Sequence, residues 1–172
     1  MRSSIATPEL ASPADVRIDD DGWCDVIADL ETVCHDALSV VFAVLDKPPA
    51  GVGFLFTDDR AVQALNATYR SQDKPTNVLS FPCDPSALPP DQPAYLGDVA
   101  LARETVLAEA AAQGKSATAH SHHLIIHGAL HLLGHDHVDP AEAETMEALE
   151  RAILARLGYG DPYIDAAEAE TE

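Results

Sequence analysis

The sequence predicts an α+β fold in one domain, with a small mixed sheet of about four strands packed with about five helices. Short β-rich runs cluster within the first 100 residues, and helical periods dominate the rest. Capping and chain-stopping residues bound most of these segments. The 172 residues hold no internal repeat and suit one hydrophobic core.

Residues 1–14 are rich in Ser, Pro and Ala without an apolar period, and are expected to form a disordered arm. Val16 and Ile18 alternate with polar neighbours and mark a first strand ending at DDDG. From Cys24 to Leu45, Val26, Leu30, Val33, Leu38, Val41 and Leu45 recur at helical steps until Lys47-Pro48-Pro49 stops them. The apolar run GVGFLF, 51–56, predicts a strand. Thr57 or Asp58 caps a helix over 59–70, with Val62, Leu65 and Tyr69 inside. TNVLSF, 76–81, predicts a third strand ending at Pro82, and the proline-rich PCDPSALPPDQP a loop. YLGDVAL, 95–101, predicts a fourth strand. A helix follows over 103–113 and ends near Gly114; another spans 117–133 and is closed by Gly134. Asp139 caps the last helix, with Pro140 first, Glu142 third and Gly158 at its end. The domain thus spans 15–159, followed by an acidic tail over 160–172.

The formal charge is −19, from 29 acids against 10 bases. Phosphate affinity normally comes from clustered Lys and Arg, so indiscriminate nucleic-acid or membrane binding is not expected, and no DNA partner is. A nucleic-acid substrate brought in by a partner stays open. No apolar run reaches the ~18 residues of a membrane span, and the N-terminus lacks the apolar middle of a secretory signal, so a cytoplasmic location is expected. Cys24, Cys34 and Cys83 form no CxxC pair and indicate neither a disulfide framework nor a thiolate zinc site.

The informative segment is SHHLIIHGALHLLGHDHVD. His127 and His131 stand four apart on a predicted helix, so both rings share one face and can reach one ion. Gly134 can take the left-handed conformation that ends a helix and reverses the chain. His137, three residues on, is then carried back toward the same ion. Three imidazoles plus water make an open tetrahedral site, the arrangement of catalytic rather than structural Zn²⁺. Imidazoles also accept Ni²⁺, Fe²⁺ or Cu²⁺. A histidine-rich surface tract is the bland alternative. His135 competes with His137 for the third position. Asp136 can orient a ligand ring or support the turn, and His120, His122 and His123 stand as surface or supporting residues. Leu124, Ile125, Leu130, Leu132 and Leu133 supply apolar surface opposite the histidines.

The spacing H-x₃-H-x₂-G-x₂-H matches that of metzincin metalloproteases, with Gly128 where their general-base Glu stands. Glycine accepts no proton, so a peptidase would need another base. HGALHLLGHDH instead resembles the signature of the YbeY family of bacterial endoribonucleases. LNATYRSQDKPTNVLSFP and YLGDVAL resemble that family's other blocks, in the same order, with Asn77 where Asp is common. The resemblance covers most of residues 50–158. It implies a zinc-metalloprotease-like fold and a metal-dependent, single-strand-specific endoribonuclease. The implied roles are ribosomal RNA processing, notably at the small-subunit RNA 3′ end, and ribosome quality control. The ribosome or a small-subunit precursor and single-stranded rRNA are the implied partners. His127, His131 and His137 map to the family's metal ligands and Arg70 to its functional arginine.

Arg70 and Lys74 fall together just before TNVLSF, in a chain with few bases. A guanidinium binds phosphate oxygens bidentately, although a helix C-terminal Arg also suits the macrodipole. Lys74 reads as a substrate contact or a solvated loop residue, and Ser80 as a substrate contact or a structural hydroxyl. Asp98 reads as facing the cleft or bracing a loop. Water and the 2′-hydroxyl both stand open as nucleophile. Two other readings are an atypical zinc peptidase and a non-enzymatic ribosome assembly factor with a structural metal.

Overall fold

A computed structural model of the chain describes residues 14–91 and 94–164. Its strands are β1 (Ala14–Ile18), β2 (Gly51–Thr57), β3 (Val78–Pro82) and β4 (Tyr95–Ala102). Its helices are α1 (Trp23–Val26), α2 (Leu30–Leu45), α3 (Asp59–Arg70), α4 (Arg103–Ala112), α5 (Ala117–Leu132) and α6 (Pro140–Arg156), with a 3₁₀ turn at Pro85–Ala87. The expected α+β class and four-stranded mixed sheet are borne out. None of the described helices is long and apolar enough to cross a membrane.

The sheet order is β1-β2-β4-β3. β1, β2 and β4 run parallel, and β3 closes the sheet as an antiparallel edge. The edge is where Pro82 is tolerated, because proline has no N–H to give an outer neighbour. α2, α5 and α6 cover one face, over a core including Phe54, Phe56, Val99, Leu101, Ile125, Leu130 and Ile153. Trp23 seals one end; its indole N–H donates to the Thr57 carbonyl at 2.8 Å and its ring meets Phe56 edge-on. α3 covers the other face over a smaller cluster of Val62, Ala100 and Ala102.

Capping follows the sequence closely. Asp58 accepts the Ala61 N–H at 2.8 Å, and Asp139 the Ala141 N–H at 2.9 Å ahead of Pro140. One expectation fails. The helix expected from Cys24 to Leu45 is broken after one turn, because Ile27 is extended and Asp29 starts a new helix. Asp29 accepts the Thr32 N–H at 3.2 Å and its hydroxyl at 2.7 Å. A carboxylate that captures local backbone donors favours a cap over a helix interior, and an apolar period cannot register that. The first 13 residues of the expected N-terminal arm lie outside the described residues, as does the acidic tail from 165 on. Ala14 opens β1, and residues 160–164 pack back on the body through Pro162, which is buried.

Gly128 sits mid-way along α5 where the helix crosses β4. A Cβ there would stand 2.6 Å from Val99 Cγ1 and 3.3 Å from the Ser80 hydroxyl. The glycine therefore has a packing reason that does not concern proton transfer. We expect Gly128→Val to lower stability by about 1–3 kcal/mol through overpacking, read as a depressed midpoint in urea. An unchanged midpoint would refute the close approach of α5 to β4.

Candidate metal centre

The ligand helix is set up at both ends. Ser116 caps α5, accepting the Ala119 N–H at 3.0 Å. At the other end Gly134 takes φ +95°, a value that favours glycine. The His135 N–H then returns to the Leu130 carbonyl at 3.0 Å, closing the helix in the pattern expected of a left-handed cap. The reversed chain carries the His137 ring to 5.5 Å from His127 and 5.1 Å from His131, centroid to centroid.

One nitrogen from each of His127, His131 and His137 lies within 4.8 Å of the others. The Nε2 atoms of His127 and His131 are 3.0 Å apart. Two imidazole lone pairs at that separation repel unless a proton or cation lies between them. Nitrogens ~2.0–2.1 Å from a tetrahedral ion stand roughly 3.3–3.4 Å apart, so the pair needs only a slight opening to hold one. Burial, with the nearby rings of His127 and His137 adding to it, pulls the His131 pKa below its ordinary value. The ring is therefore neutral and its lone pair available at neutral pH. The His137 side chain is 57% exposed, which leaves the fourth side of the centre open to the cleft. The residues fit a single cation with three nitrogen donors, a set suited to a borderline transition metal rather than Mg²⁺ or Ca²⁺. His135 joins no such group among the described residues, so the geometry favours His137 as third member.

Behind the histidines lies a carboxylate that sequence reasoning missed. Glu150, on α6, is completely buried. One oxygen meets His127 Nδ1 at 2.6 Å and the other His123 Nε2 at 2.8 Å. The Tyr163 hydroxyl also donates to Glu150. Burial alone would raise the Glu150 pKa, but these bonds outweigh it and hold the carboxyl down at about 2. An ionised Glu150 requires a proton on His127 Nδ1, and that tautomer turns the Nε2 lone pair toward His131. His123, His127 and Glu150 also lie within 4.8 Å of one another. A cation there would need His127 to give up its Nδ1 proton, so we read the trio as hydrogen bonded. The missed signal is positional: Glu150 falls among Met146, Ile153 and Leu154 on the buried stripe of α6.

Arg70, Lys74 and Ser80 line one cleft of about 870 Å³ with His127, His131 and His137. Arg70, at the end of α3, donates to the Ser80 carbonyl on β3. The Ser80 hydroxyl donates to the Gly128 carbonyl at 3.1 Å, so its proton is committed to α5. Asp136 accepts the His137 backbone N–H at 2.7 Å and stands 3.9 Å from its ring, so it supports the turn. Asp98 faces a different cavity with Arg17 and Leu65 and accepts from Tyr95. His120 and His122 are buried rather than superficial; His120 meets Glu109 and His122 the Thr118 carbonyl. Asn77 gives its amide N–H to Glu109 at 3.0 Å, a contact that an Asp could not make.

A sequence model of the family described as Endoribonuclease YbeY matches residues 20–158. A protein named Endoribonuclease YbeY from Chelativorans sp. (strain BNC1) is 53% identical over 135 residues, covering 78% of this chain and 83% of that one. One so named from Azorhizobium caulinodans is 47% identical over 157 residues, covering 90% and 98%. The solution structure of TM1509 from Thermotoga maritima superposes with a TM-score of 0.54 at 19% identity, covering 88% of this chain and 99% of that one, a likeness of fold.

Burial lowers the pKa of both His120 and His122. The unfolded chain then binds more protons than the folded one below about pH 6.5, so stability is lost as pH falls through that range. Chelated protein should melt at a lower temperature at pH 5.5 than at pH 7.5. A flat or opposite trend would contradict the buried, neutral state of these rings.

Proposed function

The chain belongs to the YbeY endoribonuclease family, and on that premise we propose that it cleaves single-stranded ribosomal RNA in ribosomal RNA processing. The observation that carries the reading is the convergence of His127, His131, His137 and Arg70 on one cleft. The three imidazoles would hold one Zn²⁺, which suits an all-nitrogen set with an open position better than a structural role needing four protein ligands. When bound, such an ion supplies Lewis acidity toward water or a phosphoryl oxygen at neutral pH.

The remaining work belongs to the chain itself. Arg70 is anchored to β3 by the Ser80 carbonyl, which leaves further guanidinium N–H groups free for phosphate oxygens. Its charge offsets the negative charge that builds on a phosphodiester under attack. Lys74 lines the same cleft as a more mobile point charge. Ser80 can still accept from a substrate hydroxyl, since only its proton is committed. Gly128, pressed on Val99, offers no base for peptide hydrolysis, so the peptidase reading finds no support.

The charge of −19 argues that naked RNA binds weakly and that specificity is supplied elsewhere. We propose the small-subunit precursor or the ribosome as the partner that presents the strand, in the cytoplasm, with the small-subunit RNA 3′ end and ribosome quality control as settings.

His127→Ala should abolish cleavage of a single-stranded RNA. Arg70→Glu should reduce it by roughly 10²–10³-fold at unchanged fold, as judged by circular dichroism. Full cleavage by both folded variants would sink the assignment.

A further inference from the structure

We propose that Tyr163 is a positioning residue for the metal centre, fixing His127 through Glu150, so that retention of the ion depends on the segment that follows α6. The inference rests on the reading that His127 holds an ion. Tyr163 lies outside residues 20–158, the span matched by the family model, and its role follows from contacts alone.

A buried carboxylate needs its oxygens fully occupied, because an unsatisfied charge away from water is costly. Glu150 has no solvent exposure and takes donors from His127, His123 and Tyr163. The His127 bond occupies one oxygen, and the His123 ring and the Tyr163 phenol share the other. Without the phenol the second oxygen keeps only His123, whose own ring also rests 3.3 Å from the Tyr163 hydroxyl. The carboxylate would then be free to turn, and with it the His127 ring.

The segment is built to hold that phenol in place. Gly158, at φ +91°, turns the chain back after α6. The Lys115 ammonium donates to the Pro162 carbonyl. Arg151 donates to Asp161 at 3.1 Å, and Asp161 accepts the Tyr163 N–H at 2.8 Å. The Arg151 guanidinium lies 5.2 Å from the centre of the Tyr163 ring, within cation–π range. These ties come from α4–α5, α6 and the segment itself, and they converge on one side chain. Burial, followed by the contact with Glu150, raises the Tyr163 phenol well above its ordinary range, so the hydroxyl stays a donor.

The test compares the full-length wild type, Tyr163→Phe, Arg151→Met and His131→Ala. Zn²⁺ affinity is read by competition with a chromophoric chelator. The Co²⁺-substituted absorption spectrum and the melting of the ion-free proteins are read alongside. Tyr163→Phe removes one hydroxyl and should weaken Zn²⁺ binding by about 10–100-fold, the range for partners behind a ligand. It should alter the Co²⁺ bands while the ion-free protein stays folded at the assay temperature, its melting temperature falling only by the several degrees that one lost hydrogen bond to a charged group costs. Arg151→Met, which loosens the segment and leaves the phenol, should weaken binding by less. Wild-type affinity and spectrum in Tyr163→Phe would overturn the positioning role. If the wild type binds no better than His131→Ala, the metal-centre reading fails first and takes this one with it.

Discussion

The close packing of α5 against β4 at Gly128 sets the geometry of the whole cleft. Because residue 128 carries no Cβ, the helix axis can approach Val99, and the Ser80 hydroxyl can reach the Gly128 carbonyl. His127 and His131 then line one cleft with Val78, Leu79 and Ser80 of β3. Ser80 is the junction of the arrangement. Its side chain donates to α5 while its backbone carbonyl accepts from Arg70, so one edge-strand residue ties the cation of α3 to the histidine helix. α5 brings two of the three nitrogens and the chain reversed at Gly134 the third, β3 anchors the guanidinium of α3, and α6 brings the carboxylate that fixes the tautomer.

This layering accounts for how an acidic chain can act on a polyanion. The formal charge of −19 opposes the approach of RNA to the general surface, within the Debye length of about 8–10 Å and most strongly at low salt. Within the cleft the balance reverses, since Arg70 and Lys74 line it against one carboxylate, Asp136. Positive charge is thus concentrated where bond cleavage demands it, and little is left over for holding flanking phosphates. On the reading proposed above, such an enzyme would gain selectivity by depending on a larger assembly for delivery.

Much of this was legible in the sequence because the signals were local. His127 and His131 fall at helical spacing, Gly134 carries the reversal, and Asp58 and Asp139 announce their helices. What stayed hidden depended on tertiary surroundings. Glu150 looks like one more acid in PAEAETMEALERAILAR, and only its place among Met146, Ile153 and Leu154 hints that it is buried. The break at Ile27–Asp29 was masked by an apolar period that continues through it. Gly128 was read chemically, as a missing base, and the steric reason needed Val99 from a strand nearly thirty residues away. His120 and His122, both drawn from one histidine-rich tract, are buried neutral groups rather than ligands.

The account turns on whether the three-histidine site holds one ion that RNA cleavage requires. The direct measurement is metal content per chain by mass spectrometry, paired with cleavage of a single-stranded RNA before chelation, after it, and after Zn²⁺ is restored. We predict one equivalent of metal, loss of cleavage on chelation and its return with the ion. Undiminished cleavage by metal-free protein would contradict the account.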